Sequence, residues 1–323
     1  MLEVKDLRVH YYVEAGAVKA VDGVSFSLDE GTKLGLVGES GSGKSTMALA
    51  LMRMVQPPAR IVGGKILLDG YDLATANEEE MRRIRLSQIS MIPQGAMNAL
   101  HPLLRVERQI MDGIVDHESG LSKAKLKERV YELLESVELN RRVSRMYPHQ
   151  LSGGMKQRVA AAASIALHPK LVIADEPTSA LDVVIQRQVM ETISRLQSEM
   201  NLSIILIGHD MGLMAQFVDR LAVMYAGKLM ELGDIRAMFA EPLHPYTLML
   251  IRSLPRLENK GEFSDIPGIT PSLLNPPSGC VFHTRCPYAT GSVGERCRTV
   301  VPDFCEIRPG RWIACHLDGE IPS

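Results

Sequence analysis

The stretch that decides the fold has the sequence Gly38-Glu39-Ser40-Gly41-Ser42-Gly43-Lys44-Ser45. It fits the pattern G-x-x-x-x-G-K-[ST], which is typical of loops that bind nucleotide phosphates when a strand precedes them and a helix follows. The apolar residues 34–37 precede it, and the helix-forming residues 45–55 follow it and end before Pro57-Pro58. The sequence therefore predicts a nucleotide site at this phosphate loop (residues 38–45).

Each residue type in the phosphate loop suits the binding of phosphate. Glycines let backbone N–H groups converge on phosphate oxygens, and the start of a helix adds partial positive charge. Lys44 supplies a movable charge for the β- and γ-phosphates, and the Ser45 hydroxyl is a hard ligand for Mg²⁺. A plain flexible glycine turn would not need this context on both sides. The residues expected to bind the nucleotide here are Gly38, Ser40, Gly41, Ser42, Gly43, Lys44, Ser45 and Thr46.

A second run supplies carboxylates. The apolar residues 171–174 predict a buried strand, and Asp175 and Glu176 follow it directly. Open α/β sheets bind ligands at the carboxyl ends of their strands. We expect Asp175 to hold Mg²⁺, directly or through water, and Glu176 to polarise the attacking water. An acidic turn at the end of a strand is common by itself, but not beside a phosphate loop.

Composition excludes several classes of protein. The 323 residues carry 36 basic and 38 acidic side chains, so the near-neutral chain is not built as a nucleic-acid-binding surface throughout. A hydrophobic content of 46% excludes global disorder. No run of about 18 apolar residues predicts a membrane span. The charged start MLEVKDLRVH is unlike a signal peptide, so we do not expect secretion.

The order of predicted elements indicates an α/β fold. Residues 1–36 predict short antiparallel strands, and about residues 95–155 predict a helical insertion whose outer face is charged. The helices expected at 157–167 and 184–200 alternate with apolar strands at 171–174 and 204–207, which is typical of a mostly parallel sheet. The composition then changes, and a Cys-rich and Pro-rich C-terminal extension is expected at residues 236–323, after a nucleotide-binding domain at 1–235.

Four further motifs make the chain resemble the ATP-binding subunits of ABC transporters. Residues 151–157 (LSGGMKQ) resemble the family signature, and Gln94 falls where the family has its Q-loop. Residues 179–182 resemble the D-loop, and His209 the switch histidine. Each motif is weak alone, but their order within one chain is specific.

The resemblance implies a P-loop ATPase cassette that hydrolyses ATP as a head-to-tail dimer with two nucleotides at its interface. Lys44, Glu176 and His209 would be catalytic, and Gln94 would join the Mg²⁺ ligands Ser45 and Asp175. Tyr11 would stack on adenine, although its neighbour Tyr12 is not excluded. The residues implied to complete the partner's site are Ser152, Gly153, Gly154, Gln157 and Asp182.

Segments of the C-terminal extension resemble one branch of this family, the oligopeptide/dipeptide and nickel importer ATPases. They are residues 243–247, 266–268, 276–286 and 314–316. This branch implies ATP-driven import of dipeptides or oligopeptides, with nickel as the alternative. The chain would lie on the cytoplasmic face of the cell membrane beneath two permease subunits. It would pair with itself or with a sister ATPase, and an extracytoplasmic peptide-binding protein would deliver the solute.

Two positions depart from the family pattern. Residues 95–98 (GAMN) stand where an Asp-Pro pair is commoner, and Gly208 stands where Thr is commoner. Neither departure removes a group assigned to catalysis, although either could alter coupling to the membrane subunits.

All five cysteines lie between Cys280 and Cys315. A cytosolic setting disfavours disulfides, zinc is possible beside His283 and His316, and an iron–sulfur cluster needs four thiolates. The resemblance implies a [4Fe–4S] cluster, with zinc or unligated thiols as alternatives. Cys305 lies outside the family pattern and could replace one ligand, and residues 291–294 look like an insertion. The implied ligands are Cys280, Cys286, Cys297 and Cys315.

Two other function classes are weaker. Soluble ABC ATPases that act on nucleic acid or ribosomes carry long coiled coils or tandem cassettes, and this near-neutral chain has one cassette and no sustained heptads. A non-catalytic module built on the C-terminal extension would not need the full set of catalytic residues.

Overall fold

The computed structural model describes residues 1–95, 99–254 and 266–321. The chain forms two compact units. The loop unit comprises Met1–Leu28, Lys33–Ala74 and Gly208–Ser323, and the helical unit comprises Asp29–Thr32 and Thr75–Ile207. The domain boundary expected at residue 235 stays a prediction.

The strands of the described residues are β1 (Leu2–Val13), β2 (Gly16–Leu28), β3 (Lys33–Val37), β4 (Ala59–Leu68), β5 (Tyr71–Asp72), β6 (Ile89–Ile92), β7 (Leu171–Asp175), β8 (Ser203–Ile207), β9 (Arg220–Tyr225), β10 (Lys228–Asp234), β11 (Cys305–Arg308) and β12 (Arg311–Ile313). The α-helices are α1 (Lys44–Leu51), α2 (Glu78–Ile84), α3 (Val106–Val115), α4 (Lys123–Ser136), α5 (Gly153–Ser164), α6 (Val183–Met200), α7 (Met211–Phe217), α8 (Ile235–Ala240), α9 (Pro245–Arg252) and α10 (Gly291–Thr299).

The loop unit contains the antiparallel sheet that the first residues predict. Its strand order is β2-β1-β4-β5. Leu2, Val4, Leu7 and Val9 are buried, as expected for the inner face of β1. The pairing of β1 shifts register between Val4 and Leu7, where Asp6 has a φ of 47°. This bulge moves Leu7 onto the buried face despite its odd spacing from Val4.

The loop unit contains a second set of strands, and one of them, β3, leads directly into the phosphate loop. β3 pairs parallel with β9, and β10 pairs antiparallel with β9. The C-terminal extension adds β12 beside β10, and β11 beside β12. Strands β9 and β10 therefore form a hairpin, and the two strands that the extension adds were not predicted from the sequence.

The helical unit holds the parallel strands in the order β8-β7-β6. These strands carry the apolar runs of the sequence and are almost wholly buried. In α4 the buried side chains follow helical spacing, at Leu126, Val130, Leu133 and Leu134. Together with α3 and α5, and with short 3₁₀ turns at Arg141–Arg145 and Pro148–Gln150, α4 forms the expected helical insertion.

Two predicted helix boundaries are wrong. The helix after the phosphate loop ends at Leu51 rather than Val55, because Arg53 takes a left-handed conformation with a φ of 49°. The helix expected from Gln157 begins at Gly153, because the Ser152 hydroxyl accepts a hydrogen bond from the Met155 N–H and caps the first turn. Among the helices of the described residues, none combines the length and apolarity that crossing a bilayer requires.

Candidate functional site: a phosphate loop and an acidic strand end

Helix α1 presents its N-terminus to the phosphate loop. Its N-cap is Gly43, with a φ of 103°, and no side chain caps the helix. No acidic residue occupies its first turn. The first N–H groups and the partial positive charge of the helix are therefore available to an anion.

Two glycines of the loop are required by close packing. A Cβ at Gly38 would lie 2.1 Å from the Met224 carbonyl oxygen, and one at Gly43 would lie 2.0 Å from that of Ala20. Both residues also have positive φ, at 151° and 103°. A side chain at either position would collide with β9 or β2 and would push the phosphate loop away from that strand.

The Lys44 ammonium is held by the loop itself. Its Nζ donates to the carbonyl oxygens of Gly38 at 2.8 Å and Glu39 at 2.9 Å, and to the Ser42 hydroxyl at 3.3 Å. These bonds keep the charge over the loop that the sequence assigns to phosphate. Ser45 follows as the second residue of α1, in the position expected of a Mg²⁺ ligand.

The two tyrosines of β1 have different surroundings. The Tyr11 hydroxyl lies 3.1 Å from the Thr46 hydroxyl on α1, which brings Tyr11 to the phosphate loop. Tyr12 is 49% exposed, and the Arg60 guanidinium lies 6.0 Å from the centre of its ring. The contact with Thr46 favours Tyr11 beside the nucleotide, and the stacking on adenine stays a prediction.

His209 is exposed at the start of the last segment of the loop unit. Asp210 follows it and caps α7 by accepting a hydrogen bond from the Leu213 N–H. A Cβ at Gly208 would lie 2.8 Å from the Met214 terminal methyl. The departure from Thr at position 208 thus has a packing reason in this chain. The other departure falls partly on residues 96–98, which lie outside the described residues.

In the helical unit, two of the predicted residues meet directly. The Gln94 side-chain amide donates to a Glu176 carboxylate oxygen at 3.1 Å. The Glu176 N–H donates to the Ile207 carbonyl at 2.9 Å, so the residue is anchored at the end of β8. Asp175 is buried as the last residue of β7. The structure therefore holds the expected water-polarising carboxylate in place by a hydrogen bond from the expected Q-loop residue.

The signature residues shape the start of α5. A Cβ at Gly154 would lie 2.5 Å from the Ile185 side chain of α6, so Gly154 allows the two helices to pack closely. Gln157 is 1% exposed, and its amide atoms have no hydrogen-bond partner within the described part of the chain. Asp182 caps α6 through the Ile185 N–H. Ser152 and Asp182 therefore have local capping roles, and their role in a partner's site stays a prediction.

Four cysteines of the C-terminal extension share one neighbourhood. Burial, with smaller contributions from neighbouring thiols, raises the pKa of Cys280 to about 11 and that of Cys315 to about 12. The thiols that contribute to the pKa of Cys315 are those of Cys280, Cys286 and Cys297. Cys305 is exposed on β11. These are the four cysteines that the family resemblance singles out.

The described residues nevertheless contain no group of three or more Cys, His, Asp or Glu side chains placed to hold a metal ion. The ring of His283 uses one nitrogen on the Cys280 carbonyl, and that of His316 uses one on the Val300 carbonyl, each at 2.8 Å. The arrangement of these side chains does not fit a preformed metal site. The four cysteines predicted as ligands share one neighbourhood, but their arrangement supports neither the predicted iron–sulfur cluster nor its zinc alternative.

Sequence reasoning missed the residue that connects the loop to the extension. Glu39 occupies an unspecified position of the motif, so the motif assigns it no role. Its carboxylate accepts hydrogen bonds from Arg285 at 2.6 and 3.0 Å and from the Thr270 hydroxyl at 2.7 Å. Its N–H donates to the Tyr246 hydroxyl at 3.0 Å. Burial acts to raise the pKa of Glu39, but the hydrogen bonds from Arg285 and Thr270 make the net shift downward.

Comparison with known proteins covers nearly the whole chain. Residues 21–179 match the family described as ABC transporter, and residues 230–292 match the oligopeptide/dipeptide transporter C-terminal region. The dipeptide transport ATP-binding protein DppD of Escherichia coli K12 is 42% identical over 319 residues, which are 98% of this chain and 96% of the relative. The oligopeptide transport ATP-binding protein OppD of Bacillus subtilis is 46% identical over 295 residues, or 90% of this chain and 82% of the relative.

Solved structures agree with these matches. The dimeric structure of MJ0796, a bacterial ABC transporter cassette, has a TM-score of 0.66 and 28% identity, covering 73% of this chain and 99% of that one. A post-hydrolysis state of MJ0796 bound to ADP and Pi gives the same TM-score at 27% identity. The fold class expected from the motifs is thereby confirmed for the cassette.

Proposed function

The chain belongs to the ATP-binding subunits of ABC transporters that are named for dipeptide and oligopeptide transport, and from this premise we propose that it hydrolyses ATP to power the import of such peptides. The observation that carries the proposal is similarity over the full length. Both the cassette and the C-terminal extension match, and the extension matches a region described for oligopeptide and dipeptide transporters. Nickel import is the alternative, and the names of these relatives favour peptides.

Each catalytic side chain has a defined task in hydrolysis. Lys44 and the N–H groups of the phosphate loop bind the phosphates. Ser45, Asp175 and Gln94 are the residues that would hold Mg²⁺, which neutralises charge on the phosphates. Glu176 orients and polarises the attacking water, and its hydrogen bond from Gln94 supports that position. His209 contacts the γ-phosphate and responds to its loss.

The active form in this proposal is a dimer with two nucleotides at its interface. Ser152, Gly153 and Gly154 lie at the start of α5, where helix N–H groups suit an anion. They would close over the partner's ATP together with Gln157, and Asp182 would link the two sites. The dimeric structure of the MJ0796 cassette supports this arrangement. The partner is a second copy of this chain or a sister ATP-binding subunit.

The proposed place of action is the cytoplasmic face of the cell membrane, with the chain as a peripheral subunit. Two membrane permease subunits would contact the helical insertion and the Gln94 segment. An extracytoplasmic peptide-binding protein would deliver the solute to them, and no nucleic acid is involved. ATP binding closes the dimer, and hydrolysis followed by phosphate loss reopens it.

We also propose that Cys280, Cys286, Cys297 and Cys315 ligate a metal centre, an iron–sulfur cluster in preference to zinc. The described residues hold no preformed site, so the proposal rests on the family resemblance and on the shared neighbourhood of the four thiols, of which Cys280 and Cys286 lie within the matched residues 230–292. Such a centre would have a structural role, because no step of ATP hydrolysis passes through it. Iron and sulfide analysis of protein purified without oxygen tests the proposal, and a colourless preparation that holds only zinc contradicts it.

The transport proposal is tested with the assembled complex. The chain is copurified with its membrane subunits, placed in liposomes, and assayed for ATP hydrolysis with the binding protein and either peptides or Ni²⁺. We expect stimulation by dipeptides or oligopeptides, and no activity in a Lys44→Ala complex. Stimulation by Ni²⁺ alone would contradict peptide import, and an absence of copurifying membrane subunits would favour a soluble ABC ATPase.

The same complex tests the role of Glu176. Replacing it by glutamine removes the carboxylate that polarises water but keeps the shape of the side chain. We expect turnover to fall by about a hundredfold or more, while MgATP binding persists and the closed dimer accumulates on size-exclusion chromatography. Glu191→Gln is the control, since Glu191 lies on the exposed face of α6 and pairs with Arg187. Undiminished turnover in Glu176→Gln rules out Glu176 as the residue that positions water.

A further inference from the structure

Arg285 of the C-terminal extension is built into the nucleotide site through Glu39. Its guanidinium forms a fork on the Glu39 carboxylate, with one bond to each oxygen, at 2.6 and 3.0 Å. The side chain of Arg285 is only 5% exposed and that of Glu39 is 25% exposed. Paired bonds of this kind fix orientation as well as charge, and lysine cannot reproduce them.

All five donor hydrogens of Arg285 have an acceptor. Besides the two bonds to Glu39, it donates to the carbonyl oxygens of Pro267 at 2.8 Å and Ile266 at 3.0 Å. The fifth bond goes to the Tyr225 hydroxyl at 3.2 Å, and the guanidinium also lies 5.7 Å from the centre of the Tyr225 ring. Three of the five bonds are to groups outside the phosphate loop, and they hold the guanidinium in place beside Glu39.

A buried aromatic group supports this bridge from below. The rings of Tyr225, Tyr246 and Phe282 are fully buried, and their centres lie 4.7 to 5.2 Å apart. The Tyr246 hydroxyl accepts from the Glu39 N–H, so the extension binds both the backbone and the side chain of this loop residue. Direct contacts therefore connect the buried rings of the extension to Glu39 in the phosphate loop.

The bridge meets the catalytic lysine at Glu39. Lys44 donates to the Glu39 carbonyl oxygen at 2.9 Å, and its charge is among the influences that lower the pKa of the Glu39 carboxyl. A carboxylate inside an anion-binding loop repels phosphate and attracts Lys44 away from it. Arg285 neutralises that carboxylate and holds it on the side of the extension.

We propose that Arg285 is a positioning residue for ATP binding, which keeps the Glu39 carboxylate from competing with phosphate for Lys44. The inference rests on the proposed function, because it takes the phosphate loop to be the ATP site. The C-terminal extension thereby becomes part of the nucleotide site through Glu39, without a contact of its own to phosphate. The charge of Glu39, rather than the fold of the extension, is what Arg285 controls.

Equilibrium titration of the full chain with a non-hydrolysable ATP analogue and Mg²⁺ tests the proposal in four variants. We expect Arg285→Gln to weaken binding by about tenfold, and Glu39→Gln to change it by less than about threefold. The decisive variant is the double substitution Glu39→Gln/Arg285→Gln. We expect it to recover most of the lost affinity, because the competing carboxylate is gone. The matched control is Arg308→Gln, which breaks an exposed pair with Glu241 in the same extension.

Steady-state ATP hydrolysis gives a second measurement. In Arg285→Gln we expect the KM for ATP to rise while kcat stays within about twofold, since the residues that act on water are unchanged. If Arg285→Gln does not fold, Arg285→Lys retains the charge and loses the fork. We expect its affinity to fall below that of the wild type, and an unchanged affinity would overturn the positioning role.

The outcomes separate the two proposals. A wild-type chain that does not bind the nucleotide overturns the proposed function. A wild-type chain that binds, with an Arg285→Gln variant of equal affinity, overturns the positioning role alone. A double variant as weak as Arg285→Gln also overturns it, because the loss would then come from the packing of the extension rather than from the Glu39 charge.

Discussion

The phosphate loop and the C-terminal extension acquire their geometry by opposite routes. In the loop, Lys44 binds acceptors two to six positions away along the chain. In the extension, Arg285 binds Glu39 across 246 positions, and Arg311 binds Glu231 across 80. The loop can therefore be identified from spacing, whereas the role of the extension depends on which distant side chains it meets. A short motif can be complete in sequence and still depend on remote support.

The largest expected effect comes from a substitution within the phosphate loop itself. Replacing Gly43 by alanine places a Cβ 2.0 Å from the Ala20 carbonyl oxygen at a φ of 103°. The loop must shift, and we expect MgATP affinity to fall by about a hundredfold or more. Calorimetric titration measures it.

Gly41→Ala is the matched control, because a Cβ at Gly41 meets nothing within 4 Å although its φ is also positive, at 79°. We expect only a small loss from backbone strain there. Equal losses in the two variants would show that conformation alone, and not contact with β2, makes the loop glycines necessary.

A smaller effect tests the anchoring of the extension. Glu231 is fully buried, accepts from Arg311 at 2.6 Å, and also accepts from the N–H groups of Leu243 and His244. Arg311→Met would leave a buried carboxylate without its cation, and we expect a loss of about 3 kcal/mol in the free energy of unfolding. Denaturant unfolding with fluorescence detection measures it.

The control for this prediction is again Arg308→Gln, since exposed ion pairs contribute about 0 to 1 kcal/mol. Unchanged stability in Arg311→Met would mean that the extension is held mainly by its aromatic and strand contacts. The contact of Arg285 with Glu39 would then remain as the charge-dependent connection between the extension and the phosphate loop.

The smallest expected effect concerns the reactivity of the cysteines. Burial raises the pKa of Cys280 to about 11 and that of Cys315 to about 12, so both remain neutral thiols at pH 8. Thiolates are the reactive form, and the reactivity of these two should rise only as the pH approaches those values. In chelator-treated protein we expect iodoacetamide to modify the exposed Cys305 first, as followed by mass spectrometry. Faster labelling of Cys280 or Cys315 at pH 8 would contradict the buried arrangement.

Much of the fold could be predicted from the sequence, and the predictions that were wrong or missing have physical causes. Strands β1, β2, β7 and β8 were predicted because buried strands carry apolar runs or alternate in polarity. The start of α5 was missed because Gly153 and Gly154 disfavour helix, whereas the Ser152 cap and the contact of Gly154 with Ile185 favour it. Strands β11 and β12 were missed because they are short and gain their stability by pairing, β12 with β10 and β11 with β12.

The residues of the candidate site also divide into those that the sequence identified and those that only the structure revealed. Lys44, Asp175 and Glu176 were identified because their chemistry requires particular residue types beside particular elements, and Gln94 was identified from the family resemblance. Glu39 and Arg285 were missed, because one occupies an unspecified motif position and the other an ordinary place in the extension. Gln94 could be assigned to the Q-loop from the sequence, but its hydrogen bond to Glu176 became visible only in the fold.

By itself, the sequence determined the phosphate loop, the acidic strand end and the order of the family motifs, since binding phosphate imposes local spacing that a single chain displays. The tertiary structure decided which four thiols share a neighbourhood and which arginine neutralises the carboxylate inside the loop. Those contacts join residues far apart in the chain, and only the packing of the extension against β10 and the buried rings of Tyr225, Tyr246 and Phe282 brings them together.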